Sequence, residues 1–216
     1  PMPEDTGFND VYARSRVLGD ADTVATPHDD DIAWLADKHI SAGYGDGSFR
    51  PDTKIKRQDM AAFLRREAIL RGIGDAVSWK PAEKDWTVFS DVDQHTPHAE
   101  DILWLAHAGI STGWRENDGS YTFRGTNAVK RQDMAAFLHR LAVEGSVATS
   151  GAASNIVFTD VKDSTPHAKD IRWLGAVGIS QGYRNSDGSW RFSGTTSVLR
   201  QDMAAFLHRL DGLFSS

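Results

Sequence analysis

The chain repeats itself. The segment FSDVDQHTPHAEDILWLAHAGISTG, which starts at Phe89, returns as FTDVKDSTPHAKDIRWLGAVGISQG from Phe158. Carried to Leu141 and Leu210, the two copies agree at about 34 of 53 positions. A more worn copy lies upstream as Phe8-Asn9-Asp10-Val11 and then TPHDDDIAWLADKHISAG from Thr26. Between its two pieces sit about 11 extra residues, around 12–24, which read as a loop insertion. His28, His98 and His167 mark a period of about 70 residues, too long for ankyrin or tetratricopeptide units. The expected division is 1–75, 76–144 and 145–216.

Each copy reads as helix, short hairpin, helix. In the second copy Thr96 suits an N-cap, Pro97 the first helical position, and Glu100 and Asp101 the first turn. Ile102, Leu105, Ala106 and Gly109 fall at i, i+3, i+4 and i+7, and Gly109 suits a left-handed C-cap. The turn Asn117-Asp118-Gly119, between Trp114 and the pair Tyr121 and Phe123, predicts a hairpin. A second helix follows from about Arg131, with Met134, Phe137, Leu138 and Leu141 on one face. Copies one and three repeat that face as Met60, Phe63, Leu64 and as Met203, Phe206, Leu207, Leu210. Gly145 to Ser154 is a small-residue linker, flexible by composition. The connector from Gly72 to Asp85 carries Trp79 and Pro81 and reads as stiffer. One such unit cannot bury its own apolar faces, so three packed together are expected to form one cooperative, mainly α module.

Composition narrows the function. A net charge of −6 and a pI near 5.7 argue against nucleic acid, which wants a basic face. No apolar run approaches the roughly 20 residues of a membrane span. Cysteine is absent, which removes disulfides, thiolate metal sites and cysteine nucleophiles together. The opening Pro-Met-Pro-Glu-Asp has no basic start or apolar stretch, so a secretion signal is expected in a longer parent.

The repeated blocks resemble the S-layer homology (SLH) domain. FNDV, FSDV and FTDV match its opening, IAWLADKHI, ILWLAHAGI and IRWLGAVGI its helix, and GYGDGSFRPD its loop. IKRQDMAAFL, VKRQDMAAFL and VLRQDMAAFL match its closing block. The resemblance covers nearly the whole chain outside the insertion and linkers. It implies a pseudo-threefold module of three repeats, on the cell surface or cell wall. Such a module docks an anionic secondary cell-wall polysaccharide, pyruvylated in that family, and is often part of a larger enzyme or surface protein. The alternative is a protein-interaction or self-assembly module of a surface-layer protein. Two departures stand out. The family Thr that caps the last helix is Lys56, Lys130 or Leu199 here, which loses a cap worth roughly 1 kcal/mol unless something else supplies it. The family aromatic near the first helix is His28, His98 or His167.

Several side chains are candidates for the glycan. Arg57, Arg131 and Arg200 offer a planar fork for a carboxylate, or else pair with Asp59, Asp133 and Asp202. Asp10, Asp91 and Asp160 either accept from sugar hydroxyls or cap the turn before the first helix. Tyr44, Trp114 and Tyr183 follow the loop glycine and are candidate glycan platforms. Trp34, Trp104 and Trp173 lie off the main apolar face, to pack against the neighbouring repeat or to form a stacking wall. His28, His98 and His167, read as first-turn residues, are also candidates for the glycan, as hydrogen-bonding or packing groups, since no HxH or HExxH pattern supports a metal. The Asp-Gly turns lack the calcium-loop spacing. Every polar motif occurs three times, which suits avid binding rather than one active site, so neither catalysis nor a cofactor is expected. The insertion is expected to set the first repeat's groove apart, with Arg57 the least important arginine.

Overall fold

The computed structural model describes residues 6–13, 24–147 and 156–214. Most of the insertion and residues 148–154 of the Gly145–Ser154 linker lie outside them. Among the described residues the chain is mainly helical, with α1 Asp29–Asp37, α2 Arg57–Arg71, α3 Ala99–His107, α4 Arg131–Glu144, α5 Ala168–Ala176 and α6 Arg200–Phe214. Two antiparallel hairpins interrupt them: β1 Trp114–Arg115 with β2 Tyr121–Thr122, and β3 Tyr183–Arg184 with β4 Trp190–Arg191. The first unit has only a tight turn there, because four residues separate Tyr44 from Phe49 where eight separate Trp114 from Phe123.

The helices associate between units. The short helix α3 packs on α2 of the preceding unit and α5 on α4, and α1 closes the ring against α6. The long helices α2, α4 and α6 also touch one another at the centre. Their apolar stripes fill one continuous core, in which Met60, Leu64, Met134, Leu138, Met203 and Leu207 are fully buried. This burial supplies the main stabilisation, since each apolar side chain taken from water contributes roughly 1.5–3 kcal/mol.

A ring of backbone hydrogen bonds lies at the entry to the long helices. The Ile55 amide donates to the Val198 carbonyl (2.9 Å), Val198 to Val129 (2.9 Å), and Val129 to Ile55 (3.0 Å). The same neighbours answer the missing caps. Lys56 and Lys130 stand at N-cap positions without a side-chain cap. Instead the amides of Arg57 and Gln58 donate to the carbonyls of Asn127 and Gly125 in the second unit. Arg131 and Gln132 donate to Thr196 and Gly194, and Arg200 and Gln201 to Thr53 and Pro51. Each long helix therefore has its first two orphan N–H groups satisfied by the next unit's loop, which takes over the role of a capping threonine.

The start of the short helices differs from the expectation. Thr96 is not the N-cap and Pro97 is not the first helical residue; both belong to a preceding turn. The Thr96 hydroxyl accepts from the Asp93 amide instead (3.0 Å). His28, His98 and His167 take the N-cap position in left-handed conformation, with φ of 61°, 60° and 61°. They are thus outside the first helical turn. At the other end, Gly109 and Gly178 adopt φ of 70° and 79°, while His39 holds the same conformation in the first unit at 56°. The inserted loop leaves and returns at one place, where Tyr12 and Thr26 are joined by two hydrogen bonds.

Candidate functional site

The F-x-D-V block is a clamp. Both carboxylate oxygens of Asp91 accept backbone amides, from Phe123 and Arg124, each at 2.7 Å. Asp10 does the same for Phe49 and Arg50, and Asp160 for Phe192 and Ser193. The clamp holds Arg50, Arg124 and Ser193 at positive φ, a strained conformation for such residues. Beneath it Phe89 leaves no room at Gly113, where a Cβ would approach the ring and the Thr122 carbonyl to 2.5 Å. The three aspartates are therefore occupied by their own loops.

The arginines do enter those clefts, and each works with the loop of the following unit. Arg57 is nearly buried, donates Nε–H to the Phe123 carbonyl (2.9 Å), and lies over the Trp114 ring (4.0 Å). Arg131 donates to Phe192 O (2.9 Å) and Ser180 Oγ (3.2 Å) and lies over Tyr183 (4.8 Å). Arg200 donates to Phe49 O (2.7 Å) and lies over Tyr44 (4.9 Å). None pairs with the aspartate two residues on; Arg200 instead approaches Asp59 of the first unit at 3.8 Å. With Nε committed to a carbonyl, the terminal nitrogens of Arg57 make no side-chain hydrogen bond among the described residues. Burial lowers all three arginines, Arg57 to about 10, so each remains charged at neutral pH.

Tyr44, Trp114 and Tyr183 each carry a second guanidinium as well, from Arg50 (3.9 Å), Arg124 (4.9 Å) and Arg191 (5.6 Å). Cation–π contacts of this kind contribute roughly 0.5–2 kcal/mol and orient the forks. The rings thus hold the arginines in place.

Each cleft draws on all three units. A cleft of about 430 Å³ is lined by Arg131, Ser180, Tyr183, Asp202, Arg209 and His28. Its counterpart of about 120 Å³ has Arg57, Ser111, Trp114, Asp133, Arg140 and His167. The third set is Arg200, Tyr44, Asp59, Arg66 and His98, tied through Asp59 to His98 (3.9 Å) and through Arg66 to the Ile40 carbonyl (2.7 Å). The second arginine, Arg140 or Arg209, with Arg66 as its counterpart, lines the cleft and was missed by the motif reading. A signal was present: Asp202, Ala205, Phe206 and Arg209 recur at i, i+3, i+4 and i+7, so one face of α6 carries both charges beside the aromatic. The expectation for Arg57 also changes, because Arg57 serves the second unit's loop while the first unit's short turn faces Arg200.

Behind each cleft a carboxylate links two bases across the seam. His208 Nδ1 is 2.8 Å from Asp31, whose other oxygen is 3.1 Å from His28. His139 and His167 bracket Asp170 at 2.7 and 3.5 Å, and Arg65 and His98 bracket Asp101 at 3.4 and 3.5 Å. Burial opposes ionisation of Asp31, yet hydrogen bonds from His208 and His28 hold it well below the usual carboxylate range. Asp170 is lowered in the same way. Trp34 stacks on His208 (4.5 Å) and Trp173 on His139 (4.4 Å), while Trp104 is fully buried and reaches Asp75 (3.3 Å). These tryptophans are packing groups between units rather than a wall of the cleft.

Among the described residues no helix is long and apolar enough to cross a membrane. No curated protein matches the chain. The family model of the S-layer homology domain matches residues 18–61 and 88–135, the cores of the first and second units, and the third unit lies outside the match. Domains of that family are non-catalytic modules that anchor proteins at the cell surface by binding cell-wall polymers. From the fold, the recurring clefts and that match together, the chain is similar to the S-layer homology domain in two of its three structurally equivalent units.

Proposed function

We propose that all three units act as SLH repeats and that the clefts between them bind an anionic secondary cell-wall polysaccharide, anchoring a larger surface protein. One observation carries this reading. In three places an arginine is fixed by a carbonyl and an aromatic ring at the edge of a cleft, its Nε committed to that carbonyl. A carboxylate-bearing sugar suits such a fork, and a charge-assisted hydrogen bond there contributes roughly 1.5–3 kcal/mol. Arg66, Arg140 and Arg209 add a second cation to each cleft, and His28, His98 and His167 a third polar group. The Asp10, Asp91 and Asp160 set has no part in the reading, and Tyr44, Trp114 and Tyr183 enter it as supports for the arginines.

The test is co-sedimentation with purified cell walls, before and after removal of the polymer that is not peptidoglycan. Binding is expected only before removal. Because the protein is acidic overall, binding should stay nearly flat or rise slightly from low to physiological salt. Arg131→Lys should weaken it by roughly tenfold, since lysine keeps the charge and loses the fork. A steep loss with salt, together with a harmless Arg131→Lys, would sink the cleft reading in favour of diffuse attraction.

A further inference from the structure

The connector between the first two units does more than span a gap. Arg65 donates Nε–H to the Ala76 carbonyl (3.2 Å) and a terminal N–H to the Trp79 carbonyl (2.8 Å). Asp75 receives the Trp104 indole (3.3 Å) and lies 2.8 Å from His107, whose ring stacks on Trp79 at 5.0 Å. A 3₁₀ turn, Glu83–Thr87, then sets Trp86 in place. Two of the chain's seven tryptophans are thus spent on a connector held rigid against α2 and α3. Between connector and helices runs a trough of about 690 Å³, which includes Ile69, Val77, Trp86, Lys80 and Gln94. Its lining includes Arg66 and His98, and His98 lies 3.9 Å from Asp59, which Arg200 approaches at 3.8 Å.

We propose that this trough is an additional saccharide subsite, continuous with the Arg200 cleft, that takes an uncharged pyranose of the same polymer. The inference rests on the glycan reading given above. Charge decides the ligand class. Arg65 is already paired with Asp101 (3.4 Å) and Lys80 with Glu100 (2.9 Å), so the trough offers no spare strong cation apart from Arg66. What it does offer is apolar surface from Trp86, half-exposed Ile69 and exposed Val77, with the Gln94 amide at the rim. A sugar ring presents the complement, an apolar C–H face for an aromatic ring and hydroxyl or N-acetyl groups for an amide. The Arg200 cleft takes the acidic residue, and the trough its neutral neighbour.

The experiment uses saccharides released from the wall polymer by partial acid hydrolysis and separated by length, with affinity measured on the whole protein. Wild type should bind long fragments more tightly than short ones, with a shift in tryptophan emission. Trp86→Ala should weaken long fragments by roughly five- to tenfold and leave short ones unchanged. Trp86→Tyr should restore most of that loss. Arg200→Ala should weaken both lengths. If Trp86→Ala lowers the thermal midpoint, Gln94→Ala at the exposed rim is read in its place, with the same selective loss for long fragments. Equal affinities for long and short fragments, or a Trp86→Ala and Gln94→Ala pair that bind both as wild type does, would overturn the subsite and leave the cleft reading standing. No binding of any fragment by wild type would overturn both.

Discussion

At the scale of single residues, the repeats act as internal controls for one another. His39 holds a left-handed conformation at the end of α1, where the second and third units place Gly109 and Gly178. A side chain there costs about 1 kcal/mol, and His39 is exposed with no packing to offset it. His39→Gly is expected to raise the unfolding free energy by about 0.5–1 kcal/mol in chemical denaturation. Asp91 offers the opposite case. Its two short hydrogen bonds to backbone amides give Asp91→Ala an expected cost of about 2–3 kcal/mol. Wall binding by the folded variant should stay unchanged, and a drop in affinity at equal foldedness would return the aspartate to the sugar site.

Between elements, the threefold pattern is broken at one buried place. Ten residues after each cleft arginine stand Glu67, Leu141 and Leu210, so a carboxyl takes the position of two leucines where α2 and α6 meet. Glu67 is fully buried, with Arg71 at 3.8 Å and Asp211 as its acidic neighbour; Asp211 itself pairs with Arg71. Burial first, and then the Asp211 charge, push Glu67 from 4.5 up to about 8. Because the folded value is raised, the stability contributed by the protonated form is complete below about pH 4.5. It is lost as pH rises through about 8. Glu67→Leu should flatten stability across that window and leave the protein more stable than wild type at pH 8, as thermal melts at pH 5 and 8 would show. On the acid side the lowered Asp31 and Asp170 act in the other direction, their seam contributions fading as pH falls below the usual carboxylate range.

For the whole molecule, ring closure dictates cooperativity. Every long helix takes its N-terminal hydrogen bonds from the next unit, and the Ile55, Val129 and Val198 amides form a closed cycle. No unit keeps its caps, its core or its cleft when separated. Calorimetry should therefore show one transition for the intact chain, with calorimetric and van't Hoff enthalpies in agreement. The isolated third unit, residues 156–214, should give no sharp transition, because α5 would lose α4 and α6 would lose α1. A cooperative melt of that fragment would refute the interlocked arrangement.

The sequence alone determined what is local or repeated. The helix faces followed from the spacing of Met134, Phe137, Leu138 and Leu141, the hairpin turn from Asn117-Asp118-Gly119, and the number of units from self-similarity. It also singled out Arg57, Arg131 and Arg200, because a motif marks a residue wherever its partners lie. Tertiary structure decided the partners. Which unit's loop receives each arginine depends on the direction in which three copies close, and identical copies carry no label for that direction. For the same reason the missing threonine caps looked like a loss until the carbonyls of a neighbouring unit were seen to replace them. The raised Glu67 shares that cause: it depends on Asp211, brought close only when apolar burial joins the first and third units.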